Sequence, residues 1–317
     1  MSMTMYDPTC SLRPSARDGF IIVAVLWILI VLATLASIYS IYINNSALAV
    51  SVTDDSLQAE ALLSASLELT AYRLTDPKND QKSDPRPTRG RFGFRLGRAN
   101  VVVNFSSETA RIDLNSAPKV LLAGFFSALG ASNEDADRYA DRVIGWRTTP
   151  KPAQADEAAL YRAAGLTYMP RGASFAHASE LWLVQGLPPA LVGRALPFVT
   201  VYSGRPEINV FDAPPELIAA LPAMTPARLK AFLAQRETAA SDKDSLSRLL
   251  GPDQPGATAD GSKAFRVRVS ITFDNGWLTE SEAVILLDTA DEPFHVLSWR
   301  SDVNADSDQP RLATRLR

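Results

Sequence analysis

Only one cysteine and two histidines occur among the 317 residues. The cysteine is Cys10, so a chain beginning at Phe20 has no thiol for a disulfide or for nucleophilic chemistry. No apolar stretch precedes Cys10, which makes it a poor site for lipid attachment. His177 and His295 alone do not suit a histidine-rich transition-metal centre. A formal net charge of -3 gives no electrostatic reason for a polyanionic partner, and nucleic acid is not expected. Neither a Walker loop nor a dinucleotide glycine motif is present. What is there is ordinary for a folded chain: 46% hydrophobic and 21% charged residues, enough for one large domain or two smaller ones.

Two local absences carry more information. No charge occurs from Phe20 to Ile43, and no proline from Phe20 to Asp76. The uncharged run is longer than the about 20 residues that span a bilayer as a helix. A secretory signal places its small residues and cleavage site after the apolar segment; here Arg17-Asp18-Gly19 comes before it. A cut between Gly19 and Phe20 leaves the helix in the mature chain. Arg13 and Arg17 favour a cytoplasmic N-terminal side, with the remainder outside the membrane. Beyond Ile43, Ala59, Leu63, Leu67 and Leu74 form an apolar face, with Asp55, Glu60 and Glu68 largely elsewhere. Pro77 marks the stop. One unbroken helix would reach roughly 80 Å at 1.5 Å per residue, first apolar all round and then amphipathic.

From Asp76 to Arg91 the sequence reads as an exposed loop. Val101, Val103 and Phe105 mark a strand, with a turn at Ser106-Ser107-Glu108-Thr109 and a return over Arg111 to Leu114. Phe265 to Phe273 alternates apolar residues with Arg266, Arg268, Ser270 and Thr272, the pattern of a half-buried strand. Asn275-Gly276 is a tight-turn signal. Glu282 to Leu287 and Phe294 to Trp299 supply two further strands.

The intervening region reads as helical and contains an internal echo. Ile112-Asp113-Leu114-Asn115-Ser116-Ala117-Pro118 matches Ile208-Asn209-Val210-Phe211-Asp212-Ala213-Pro214, each followed by an apolar helix face. Ser116 and Asp212 are the cap candidates, and proline suits a first helical turn because its missing N–H would be unpaired there. Helices are expected at Glu134 to Arg147, Ala178 to Gln185, Pro189 to Leu196 and Pro226 to Arg236. The echo resembles helix-hairpin-helix modules, some of which bind DNA. The hairpins Leu129 to Asp135 and Leu221 to Pro226 lack the paired glycines of the binders, so a compact packing unit is the expectation.

These features together resemble the K-type minor pseudopilins of type II secretion systems. The resemblance rests on the basic leader ending in Gly19, on Phe20 and its Trp-containing helix, and on the double Ala-Pro pattern. It also includes Ala140 to Arg147, Ala178 to Leu187 and Glu207 to Pro215. It implies an α+β, pilin-like fold: a long N-terminal α-helix packed on an antiparallel sheet, with a large inserted α-helical domain. The corresponding division is a leader at 1–19, a helix at 20–76 with 20–43 in the membrane, a sheet from 90–114 and 263–300, an insert at 115–262, and a flexible tail at 301–317. Cleavage by a prepilin peptidase is implied at Gly19 and Phe20. Pilin-type subunits usually carry glutamate at the fifth mature position, where it pairs with a neighbour's N-terminus; this chain has Ala24, as K-type members lack that glutamate. The implied partners are I-type and J-type minor pseudopilins, other pseudopilus subunits and the prepilin peptidase. The implied place is the bacterial inner membrane, with the C-terminal part in the periplasm.

No catalytic constellation emerges, and the chain reads as non-enzymatic. Asp156, Glu157 and the run Glu134-Asp135-Ala136-Asp137 read as solvated helix faces. His177 lies near Ser174, Ser179 and Glu180, where capping by Ser179 is favoured over a triad. No cofactor is required. Calcium stays open because K-type members can bind it. Asp302, Asn304, Asp306 and Asp308 imitate the start of an EF-hand loop without its glycine or closing glutamate. The alternative reading is a membrane-anchored periplasmic helix-hairpin-helix binding module, for example in DNA uptake.

Overall fold

The computed structural model describes residues 16–75, 86–149, 157–236, 238, 243–251, 254–288 and 292–301. The chain divides into two compact units, Met1–Ala61 and Leu62–Arg317. Helix α1, Ala16–Thr75, contributes residues to both and has no break, as the missing proline predicts.

In the first unit, Ile22–Ile43 has a mean hydropathy of 2.6 and none of it is buried. Its hydroxyls are satisfied inside the helix: Thr34 Oγ1 donates to the Ile30 carbonyl at 2.8 Å and Ser37 Oγ to Ala33 at 2.9 Å. The Thr34 and Ser37 hydroxyls therefore need no water, which suits a segment in lipid. Asp55, expected on the wet side, is instead buried.

In the second unit, α1 buries Leu62, Leu63, Leu67, Ala71 and Leu74 on one stripe. Ser66 and Thr70 lie in the same stripe, and their hydroxyls return to the carbonyls of Leu62 and Ser66 at 2.7 and 2.6 Å. The amphipathic face is therefore wider than its leucines indicate.

The sheet is five-stranded and antiparallel, in the order β1-β2-β7-β8-β9. Its strands are β1 (Arg89–Leu96), β2 (Ala99–Ser107), β7 (Ala264–Phe273), β8 (Leu278–Leu287) and β9 (Phe294–Ser301). The alternation of β7 is realised: Phe265, Val267, Val269, Ile271 and Phe273 are buried. The turn at Asn275-Gly276 joins β7 to β8, with Gly276 at φ 86.

The hairpin expected around Ser106 to Leu114 does not form. β2 pairs with β1 and β7, so the sheet's first part spans 89–107 rather than 90–114. Glu108–Ala110 is a short 3-10 turn that carries the chain out of the sheet. Ile112–Asp113 (β3) pairs in parallel with Val199–Thr200 (β4), inside the helical insert. The opposite end of the expected loop is also ordered, because β1 begins at Arg89.

The insert contains α2 (Lys119–Ala128), α3 (Asn133–Arg147), α4 (Glu157–Ala163), α5 (Pro189–Ala195), α6 (Pro215–Ala219), α7 (Pro226–Arg236) and α8 (Lys243–Leu250). A second parallel pair joins Ile208–Asn209 (β5) to Ala257–Thr258 (β6). Ala178–Leu183 is a 3-10 helix rather than the expected α-helix. One apolar core, including Leu122, Phe125, Phe126, Phe211 and Ile218, joins these pieces.

Candidate functional site

The processing and assembly positions lie on α1. Gly19 and Phe20 fall within its first turns, and Ala24 is half-buried on the same helix. The calcium candidates Asp302, Asn304, Asp306 and Asp308 lie outside the described residues. Among the described residues, no three or more His, Cys, Asp or Glu side chains gather as a metal would require.

The sequence echo is a duplicated structural unit. Asp113 Oδ1 accepts the Asn115 N–H at 2.7 Å, and Asn209 Oδ1 accepts that of Phe211 at 3.0 Å. The carbonyls of Asp113 and Asn209 accept from Ala117 and Ala213, both at 2.8 Å. The expected caps Ser116 and Asp212 are displaced from that role: the N-cap residues are Pro118 and Pro214, with no side-chain cap. Asp113 and Asn209, five residues before those prolines, arrange the polar turn that aims each helix.

An arginine closes each unit. Arg147 ends α3 and donates through Nη1 to the Leu114 carbonyl and through Nη2 to Ala117 at 2.8 Å. Arg236 ends α7 and donates to Ala213 at 2.6 Å and Val210 at 3.4 Å. Leu114 and Val210 are echo positions, as are Ala117 and Ala213. Burial holds the Arg147 guanidinium below its usual range, partly offset by Asp113. The two hairpins match in backbone: Gly130 has φ 93 and Ala223 has φ 58. Ser132 Oγ then accepts the Asp135 N–H, and Thr225 Oγ1 that of Arg228.

A buried charge cluster fastens this insert to the sheet. Glu108 is fully buried and accepts from Arg266 Nε at 2.8 Å and Nη2 at 3.1 Å. Thr200 Oγ1, on β4, donates to Oε2 of the same carboxylate, the oxygen that also accepts from Arg266 Nη2. Arg266 Nη1 reaches Glu282 at 2.6 Å, and Arg268 reaches its second oxygen at 2.8 Å. Arg266, read as wet from the strand's alternation, is therefore largely enclosed, with 18% of its side chain exposed. Burial works against its charge, but Glu108 and Glu282 outweigh burial and raise its pKa. For Glu282 burial would raise the pKa, yet Arg266 and Arg268 hold it below the usual carboxylate range.

Beside this seam lies an open cleft of about 1070 Å³, whose walls include Arg86, Arg89, Tyr202, Asp212, Lys263 and Asp288. Its charges are mostly committed: Arg86 pairs with Asp288 at 3.0 Å, and Arg89 Nε lies 3.3 Å from Asp212. Burial pushes the Asp212 carboxyl up, against the pull of Thr88, Arg89 and Arg236. These groups bind structure together and provide no paired acid and base aimed at one point.

Two other expectations change. His177 itself caps the 3-10 helix, Nδ1 accepting from the Ser179 N–H at 3.1 Å, so the histidine takes the role assigned to Ser179. Glu180 Oε1 accepts the N–H of Ala176, the residue before that cap, at 3.0 Å. Glu157 is not on a solvated face: its side chain is mostly buried against Arg142 at 2.7 Å, and burial raises its pKa. Asp156 lies outside the described residues.

Residues 100–204 match the family described as type II secretion system (T2SS), protein K. The matched stretch lies within the globular part. The match runs from β2 through the first repeat and ends just before β5. Structural likeness extends further. A chain of the GspK-GspI-GspJ complex from the enterotoxigenic Escherichia coli Type 2 Secretion System is 20% identical over 78% of this chain and 97% of that chain, with a TM-score of 0.55. At that identity the likeness establishes a shared fold. No curated protein sequence matches the chain significantly.

Proposed function

We propose that this chain is a minor pseudopilin that caps or initiates the tip of a type II secretion pseudopilus. It does so with I- and J-type subunits, for the export of folded periplasmic proteins. The observation that carries the reading is the place of the helical insert. It leaves the sheet after β2 and returns at β7, so a bulky body interrupts a pilin-like sheet. Such a body has room at the end of a filament, where one heterologous face stays unused. Ala24 fits the same place, because a tip subunit has no preceding neighbour whose amine would need a carboxylate. The role is structural and non-catalytic. Ile22–Ile43 serves as the single anchor in the inner membrane, with the second unit in the periplasm.

The test is co-purification of the chain with I- and J-type subunits, combined with the mass of its N-terminus. The expected result is a complex containing a chain that begins at Phe20, and Gly19→Ala slows the cut. A chain that retains Met1 and captures neither subunit would refute the reading. Salt-sensitive DNA binding would then favour the uptake module.

A further inference from the structure

Resting on that reading, we propose that β9 is a docking edge, onto which a different membrane-anchored, pilin-type chain, not a second copy of this one, adds an extended segment as a sixth strand. The two edges of the sheet differ. β1 carries Arg89, Arg91 and Arg95, against the single Arg300 of β9, and such charge blunts an edge against strand addition. β9, Phe294–Ser301, has no partner strand on its outer side among the described residues. Its exposed residues include Val296 at 45%, Leu297 at 38% and Trp299 at 42%.

Register shows which face is left open. Phe294, Val296 and Trp299 stand opposite Leu287, Ile285 and Ala283, all buried. The apolar layer of the core thus continues onto β9 and meets solvent there. The cause is geometric. Five strands at about 4.8 Å spacing are roughly 19 Å across, whereas a helix covers about 10 Å. Arg73 of α1 lies 4.2 Å over the Phe92 ring of β1, which places the helical cover at the opposite edge from β9.

The occupant follows from hydrogen bonding and area. Open main-chain groups on β9 are matched by another strand, and its apolar face by alternate apolar side chains on that strand. A contact one strand wide buries only several hundred Å², less than the roughly 1,200 Å² of a stable interface. A partner held only at β9 would leave. A partner with its own membrane helix is retained at high local concentration, and a weak edge contact then suffices.

The experiment uses the full chain with Cys10→Ser, so that an introduced cysteine is the single thiol. Leu297→Cys on β9 and Arg91→Cys on β1 are labelled with a benzophenone maleimide in membranes containing the I- and J-type subunits, then illuminated. The expected adduct with a partner subunit forms at least 10-fold more from position 297 than from position 91. Adding Trp299→Lys removes at least 10-fold of it, with the thermal midpoint unchanged. Equal adducts from both edges, an adduct only with a second copy of this chain, or indifference to Trp299→Lys would each overturn the proposal. If the partners co-purify but β9 yields no adduct, the docking edge fails and the proposed function stands. If neither subunit co-purifies, both fail.

Discussion

Gly124 faces the backbone of Ala220 so closely that a Cβ on Gly124 would stand 2.0 Å from the Ala220 carbonyl oxygen. This contact joins the first helices of the two repeats, α2 to the C-cap of α6. Because the obstacle is backbone, no side-chain rotation relieves it. Gly124→Ala is expected to destabilise the second unit by about 1–3 kcal/mol or more, seen as a lowered thermal midpoint. Gly193→Ala is the control: its Cβ would meet only Trp182, at 3.7 Å. There the better helix propensity of alanine should raise stability by up to about 1 kcal/mol. Equal effects at the two positions would show that the repeats do not meet through this glycine.

Ala223 holds a left-handed backbone at φ 58, where the equivalent hairpin of the first repeat has Gly130 at φ 93. An L-residue with a Cβ is disfavoured there by about 1–2 kcal/mol, partly recovered through the lower unfolded-state entropy of alanine. Ala223→Gly should therefore stabilise by about 0.5–1 kcal/mol. Gly130→Ala should destabilise by a similar amount, although nothing lies within 4 Å of its added Cβ. Denaturant midpoints of the two variants should move in opposite directions.

Arg147 and Arg236 each bridge two carbonyls that begin their own repeat. Arg147 spans its acceptors with Nη1 and Nη2, and Arg236 reaches both of its own from Nη1. Each guanidinium is a planar group held at a fixed reach, whereas a lysine ammonium is a single point of charge. Arg147→Lys and Arg236→Lys should each cost about 1–3 kcal/mol, the penalty for leaving a buried polar group without its partner. Loss of stability in both variants would support two equivalent locks. An effect at one position alone would mean that the duplication is geometric without being energetic.

Much of this architecture is legible in the residues, and the failures have specific causes. β7 announces itself because one face is apolar at every second position, and α1 because nothing in it breaks a helix. β1 was hidden: Arg89-Gly90-Arg91-Phe92-Gly93-Phe94 offers only two aromatics to an alternation count. Gly90 is in the strand because the Phe105 ring occupies the space of its missing side chain, and a Cβ there would lie 2.4 Å from that ring. β3 and β5 pair through two residues each, too few for any period. Asp113 and Asn209 were visible as echo positions, but the arginines that close the turns lie more than 20 residues downstream. Only the folded hairpin brings them back. Glu108 looked like a turn residue because its partners, Arg266 and Thr200, are remote in sequence.

Acid should loosen the junction between sheet and insert through Glu282. Its folded pKa is held below the ordinary value of 4.5 by Arg266 and Arg268, against the effect of burial. The unfolded chain therefore binds this proton more readily. The contribution is complete above about pH 4.5 and is lost as pH falls through the depressed folded value. Asp212 and Glu157 act with the opposite sign, since burial raises their folded pKa values and their protonation relieves a cost as pH falls. Glu282→Gln isolates the first effect. At pH 7 it should cost about 3 kcal/mol or more, as expected for removing one member of a buried ion pair. Its midpoint should also fall less steeply than that of the parent chain below pH 4.5. Parallel midpoint-against-pH curves for the two proteins would assign the acid sensitivity to other carboxylates.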